Sequence, residues 1–109
     1  MPKAYWIAHV DVSDPEIYDR YRAANAAPFA KYGAKFIVRG GAQQQCEGAT
    51  KSRTVVIEFA DLATARACYD SPEYQAAKAI REDVSEGDLI IVEGYDLNAH
   101  TRGLSERHD

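Results

Sequence analysis

The chain has 109 residues, of which 46% are hydrophobic and 28% charged, and a formal net charge of -4. That is an ordinary globular composition, long enough for one domain with a core of its own and too short for two. Lys and Arg are scattered, with Lys51-Ser52-Arg53 the longest cluster, so the acidic balance excludes a nucleic-acid partner that needs a concentrated basic face.

Tyr5-Trp6-Ile7-Ala8-His9-Val10-Asp11-Val12 predicts a first strand, rich in aromatic and β-branched residues. Its alternating faces, Tyr5, Ile7 and His9 against Trp6, Ala8 and Val10, are both largely apolar, and such a strand needs cover on both sides. One helix layer from so short a chain covers a single face. The other face therefore asks for a second subunit.

Asp14 and Pro15 are a cap and a first helical position, and Tyr18, Tyr21, Asn25, Phe29 and Tyr32 follow at spacings of three, four, four and three. Pro28 cannot bond back to the Ala24 carbonyl, so a kink or restart is expected there. Asn25, the polar exception in the stripe, either satisfies the freed backbone or reaches into a cavity under the sheet. Gly33 then ends the helix as a left-handed cap.

Lys35-Phe36-Ile37-Val38-Arg39 reads as the second strand, closed by Gly40-Gly41. A polar loop from Ala42 to Ser52 follows, long enough to serve as a lid or an arm onto a partner. Arg53 to Phe59 is the clearest strand. Asp61 caps a helix over Leu62 to Tyr69, and Ser71-Pro72-Glu73 places a fresh helix start inside the helical run, which continues to about Arg81 or Val84. Tyr69 and Tyr74 flank that restart; it is either a plain cap or the wall of a small polar pocket. Glu86-Gly87-Asp88 is expected to turn into a last strand, Leu89 to Glu93, and the polar tail 98–109 to be mobile or ordered only against a partner.

No apolar run approaches the roughly 20 residues that span a bilayer. Met1-Pro2-Lys3 opens no signal-peptide pattern, so the expected location is the cytoplasm, away from membranes. Cys46 and Cys68 are expected as free thiols there, and His9, His100 and His108 are too dispersed for a metal site. No cofactor is expected.

The two halves echo each other. His9 to Val12 leads through Asp14-Pro15-Glu16-Ile17-Tyr18 to Phe36 to Gly40, and Val56 to Phe59 leads through Ser71-Pro72-Glu73-Tyr74 to Ile90 to Gly94. This is βαββαβ, an α+β, ferredoxin-like plan over residues 1–97, with a four-stranded antiparallel sheet and helices on one face. Packing two such sheets face to face would cover the bare apolar face, so a homodimer is expected.

The segments Tyr5-Trp6-Ile7-Ala8-His9-Val10, Lys31-Tyr32-Gly33, Val38-Arg39-Gly40-Gly41, Glu47-Gly48, Ile57-Glu58-Phe59 and Tyr69-Asp70-Ser71-Pro72-Glu73-Tyr74-Gln75 also resemble a known family. It is the domain of unknown function 1330, and the resemblance covers roughly residues 3 to 95. It implies the dimeric α/β-barrel fold, related to antibiotic-biosynthesis monooxygenases, muconolactone isomerases and chlorite-dismutase-like proteins, and implies no reaction.

Polar side chains directed into the cleft between sheet and helices are the site candidates. His9 is the candidate for proton transfer, against a packed, hydrogen-bonded histidine. Arg39 would hold a carboxylate, against an ion pair with Glu58 or Glu93; Glu58 itself reads as a structural salt bridge. Asn25, Tyr69, Ser71 and Tyr74 would supply hydrogen bonds to a small polar ligand. Two functions remain open: a cofactor-independent enzyme, monooxygenase- or isomerase-like, on a small anionic or oxygenated molecule, or a non-catalytic ligand-binding or stress-related module. A haem protein is a weaker third, since it needs a histidine on an accessible cleft wall. Pro2 exposed by loss of Met1 would make the chain similar to the tautomerases, but Lys3 and Ala4 delay the strand.

Overall fold

A computed structural model describes residues 2–96; the tail from 98 onward, with His100 and His108, lies outside the described residues. β1 (Ala4–Val12) lies between β3 (Arg53–Phe59) and β4 (Ser85–Glu93), and β2 (Lys35–Arg39) adds to the outside of β3. Every pairing is antiparallel and the order is β2-β3-β1-β4. This is the ferredoxin-like sheet expected from the repeat.

The register sorts the side chains onto two faces. Trp6 lies opposite Ile57 and Ile91, and Ile7 lies opposite Val56 and Ile90. The Trp6 face is covered by α1 (Pro15–Ala24), α2 (Ala26–Lys31), α3 (Leu62–Asp70) and α4 (Pro72–Arg81). Trp6, Phe59 and Tyr74 are fully buried there, and the Trp6 Nε1–H donates to the Ala65 carbonyl at 3.0 Å. On the opposite face Ile90 and Val92 remain 55% and 40% exposed. An apolar sheet face of that kind on a small chain is a surface made to be covered.

Caps do what the sequence assigns to them. Asp14 accepts from the Ile17 amide, Asp61 from the Thr64 amide, and Gly33 takes φ +68°. Ser71 is extended; its hydroxyl accepts from the Tyr74 amide at 3.1 Å and donates to the Cys68 carbonyl at 2.7 Å, which splits α3 from α4.

Two expectations are corrected. The break in the first helix falls at Asn25 rather than at Pro28, because Pro28 sits in the first turn of α2, where its missing N–H costs little. The segment Glu86-Gly87-Asp88 is strand, not turn: it pairs with Asp11, Val10 and His9, so the long β1 serves as template four residues further than local turn chemistry suggests. Gly87 permits the approach, since a Cβ there would lie 2.6 Å from the His9 carbonyl oxygen. No helix among the described residues is long and apolar enough to cross a membrane.

Candidate functional site

Between the helix layer and the sheet lies a cavity of about 240 Å³. α1 contributes Tyr18 and Tyr21, and its C-cap contributes Asn25, which follows them at helical spacing. Trp6 from β1, Phe29 from α2, Phe36 from β2 and Tyr69 from α3 make the aromatic wall. Arg22, Arg39, Arg53, Lys78 and Arg81 also line it, opposed among the described residues by the single carboxylate of Asp88. On a chain of net charge -4 this is a concentrated positive site.

The cations differ in what they already hold. Arg22 pairs with Asp19 at 3.2 Å and Lys78 with Glu82 at 2.9 Å, both near the surface. Arg39, Arg53 and Arg81 take part in none of the ion pairs between described residues. The Arg39 guanidinium stacks over Phe36 at 4.0 Å, and Arg53 lies 6.0 Å from the Tyr18 ring centroid. Arg81 donates to the Tyr74 hydroxyl at 3.3 Å and sits 5.3 Å from the Tyr21 centroid. Burial works against the charge on Arg81, yet contact with the Tyr74 and Tyr21 hydroxyls keeps it above the ordinary arginine value. Burial likewise pushes the Tyr18 and Tyr74 hydroxyls upward, with the neighbouring Tyr21 adding to both, so they stay protonated at neutral pH.

The expected partners of Arg39 are not its partners. In the β2–β3 register Arg39 stands opposite Val55 and Lys35 opposite Glu58, which puts Glu58 at the far end of the pair and on the other face. Glu93 belongs to β4, the opposite edge of the sheet. Glu58 instead pairs with Lys3 at 3.3 Å beside the Tyr5 hydroxyl.

The other candidates separate by position. Asn25 is 4% exposed, makes no cap bond and lines the cavity with Tyr69 and Arg39. Ser71 is committed to its cap, and Tyr74 lies beneath the cavity, its hydroxyl 2.9 Å from that of Tyr21. His9 borders the cavity mouth, but its Nδ1 is 3.1 Å from Thr54 Oγ1, and strand alternation puts both the imidazole and the hydroxyl toward the open sheet face. Thr54 donates on to Gln43 at 2.7 Å, which anchors the loop after β2 on that same side. Cys68 is buried and its thiol is pushed up to about 12 by burial, so it is no nucleophile.

Arg53, Arg81, Tyr18 and Tyr21 line the cavity and were not singled out as candidates by the sequence. A signal for Arg53 was present, since it shares its β3 face with Val55, Ile57 and Phe59 and so is in phase with the core. Its Nε is buried and unpartnered among the described residues. Its guanidinium also crosses Gly40, where a Cβ would lie 2.1 Å from Nη1 and where φ is +70°. Gly40→Ala is therefore expected to cost about 1–2 kcal/mol from the left-handed backbone alone. Thermal unfolding should fall by about 4 °C or more, and an unchanged midpoint would contradict the strain.

A family model described as domain of unknown function (DUF1330) matches residues 3–95. A search of the curated proteins finds no match. Among solved structures the fold is similar to a protein of unknown function from Rhodopseudomonas palustris, at 15% identity and a TM-score of 0.70, covering 87% of this chain and 84% of that one. It is similar to SnoaB, a cofactor-independent oxygenase from Streptomyces nogalater, at 13% identity and 0.60, covering 88% and 96%. A dimeric ferredoxin-like protein of unknown function from Thermobifida fusca is similar at 19% and 0.59, covering 85% and 92%. At such identities the likeness is one of fold.

Proposed function

The chain belongs to the DUF1330 family, and we propose that it is a homodimeric small-molecule-binding protein whose cavity takes an organic anion. The observation that carries this is Arg53, a guanidinium with a buried, unpartnered Nε in an aromatic-walled cavity that holds two more arginines without carboxylates. A buried donor left unpaired costs about 1–3 kcal/mol, and a carboxylate offers an arginine two parallel acceptors. The aromatic wall suits a flat apolar body behind that carboxylate.

Catalysis of the monooxygenase or isomerase type would need a group that moves a proton inside the cavity. The imidazole of His9 is directed to the open face and bonded to Thr54, which leaves proton transfer without its first candidate. The activity of SnoaB bears on this chain only through shared fold. Ligand binding is therefore the better-supported use of the cavity, with Arg39, Arg53 and Arg81 holding the anionic group and Asn25 and Tyr69 orienting the rest. The second copy is supported by the exposed Ile37, Val38, Ile90 and Val92 and by the dimeric Thermobifida relative.

Isothermal titration with benzoate tests the anion site. Wild-type protein should bind it, and Arg53→Gln should weaken binding about tenfold to a hundredfold, the worth of one charge-assisted contact of about 1.5–3 kcal/mol. Equal affinities, or no binding by the wild type, would overturn the assignment.

A further inference from the structure

The cavity holds a second, uncharged polar subsite. Arg81 can only donate, so its 3.3 Å contact makes the Tyr74 hydroxyl an acceptor. Tyr74 is fully buried, and among the described residues its own hydrogen has one acceptor within reach, the Tyr21 oxygen at 2.9 Å. The chain of donation runs Arg81 to Tyr74 to Tyr21, which leaves the Tyr21 hydrogen for the cavity that Tyr21 lines. One helical turn on, Asn25, a residue 4% exposed, presents a side-chain amide that forms no hydrogen bond among the described residues. Positions i and i+4 share a helix face, so hydroxyl and amide address the same region.

From this we infer that the ligand is a hydroxy- or oxo-substituted aromatic acid, whose second oxygen is held by Tyr21 and Asn25 while its carboxylate meets Arg53. The inference rests on the anion site proposed above. A ligand oxygen at this point accepts from the Tyr21 hydroxyl and exchanges a further bond with the Asn25 amide. A plain carboxylate leaves that amide unpaired, which is the kind of difference that discriminates between ligands. The aromatic wall of Trp6, Phe29, Phe36 and Tyr69 takes the ring.

The test is titration of the full chain with phenol, benzoate and the 2-, 3- and 4-hydroxybenzoates. At least one hydroxybenzoate isomer should bind roughly tenfold more tightly than benzoate, and phenol should bind most weakly. Tyr21→Phe and, independently, Asn25→Leu should each shrink the affinity ratio of that isomer to benzoate from roughly tenfold toward one. Circular dichroism of each variant confirms that the fold is retained. If every isomer matches benzoate, or both variants weaken benzoate as much as the hydroxy acid, the oxygen subsite is wrong while the anion site stands. If Arg53→Gln leaves benzoate binding unchanged, or if no probe binds, the anion site and this inference fail together.

Discussion

Trp6→Ala is expected to lower the unfolding free energy by about 3–5 kcal/mol, a large part of the 5–15 kcal/mol that holds a domain folded. Trp6 is 1% exposed and stands where β1 meets four other aromatic rings. Its ring lies 4.9 Å from Tyr74, 5.2 Å from Phe59, 5.3 Å from Phe29 and 5.7 Å from Tyr69, mostly edge to face. Each such pair adds about 0.5–1.5 kcal/mol beyond the area it buries. The indole N–H also donates to the Ala65 carbonyl on α3 at 3.0 Å, a bond that truncation removes. Because the same ring forms one wall of the cavity, ligand binding should fall with stability. Chemical denaturation measures the change; a loss below about 1 kcal/mol would mean that the core is organised around something else.

Ile90→Asp is expected to abolish the proposed dimer while leaving the protomer folded. Ile90 is 55% exposed in the protomer, directly opposite Ile7 and on the same sheet face as Val56 and Val92, so the substitution disturbs no core packing. Covering that face contributes about 25 cal/mol per Å² of apolar surface before the costs of association. In a two-fold assembly the change is made twice, and two carboxylates are buried in an apolar contact without partners. The dimer dissociation constant should rise a hundredfold or more, read by analytical ultracentrifugation with circular dichroism as the check on folding. An Ile90→Asp protein that dimerises as the wild type does would place the interface elsewhere.

The strands, caps and overall plan were readable because each rests on local chemistry. Asp14, Asp61, Ser71 and Gly33 carry the same meaning in isolation as in the fold. β4 was cut short because Glu86-Gly87-Asp88 has turn composition, and only pairing with β1 reveals its use as strand. The site was harder to read for a more general reason. Period-two alternation separated Tyr5, Ile7 and His9 from Trp6, Ala8 and Val10, but both sets are apolar enough that neither announces which one the helices cover. His9 borders the cavity mouth, and what alternation alone does not show is that its ring is held by Thr54. Arg53 was overlooked as part of a small surface cluster, since a cation at a strand start is ordinarily solvated. Its place in the cavity emerges only when α1 brings Tyr18 to its guanidinium and α4 brings Arg81 to the same lining, both distant in sequence.

Native mass spectrometry of protein purified from its own cells, for the wild type and Arg53→Gln side by side, tests the account most directly, because it reads subunit count and retained molecules together. The expected wild-type species is a dimer carrying one small organic anion per protomer, with Arg53→Gln a dimer from which that anion is lost. A monomer without a bound molecule, or a dimer whose bound molecule survives the Arg53→Gln change, would contradict it.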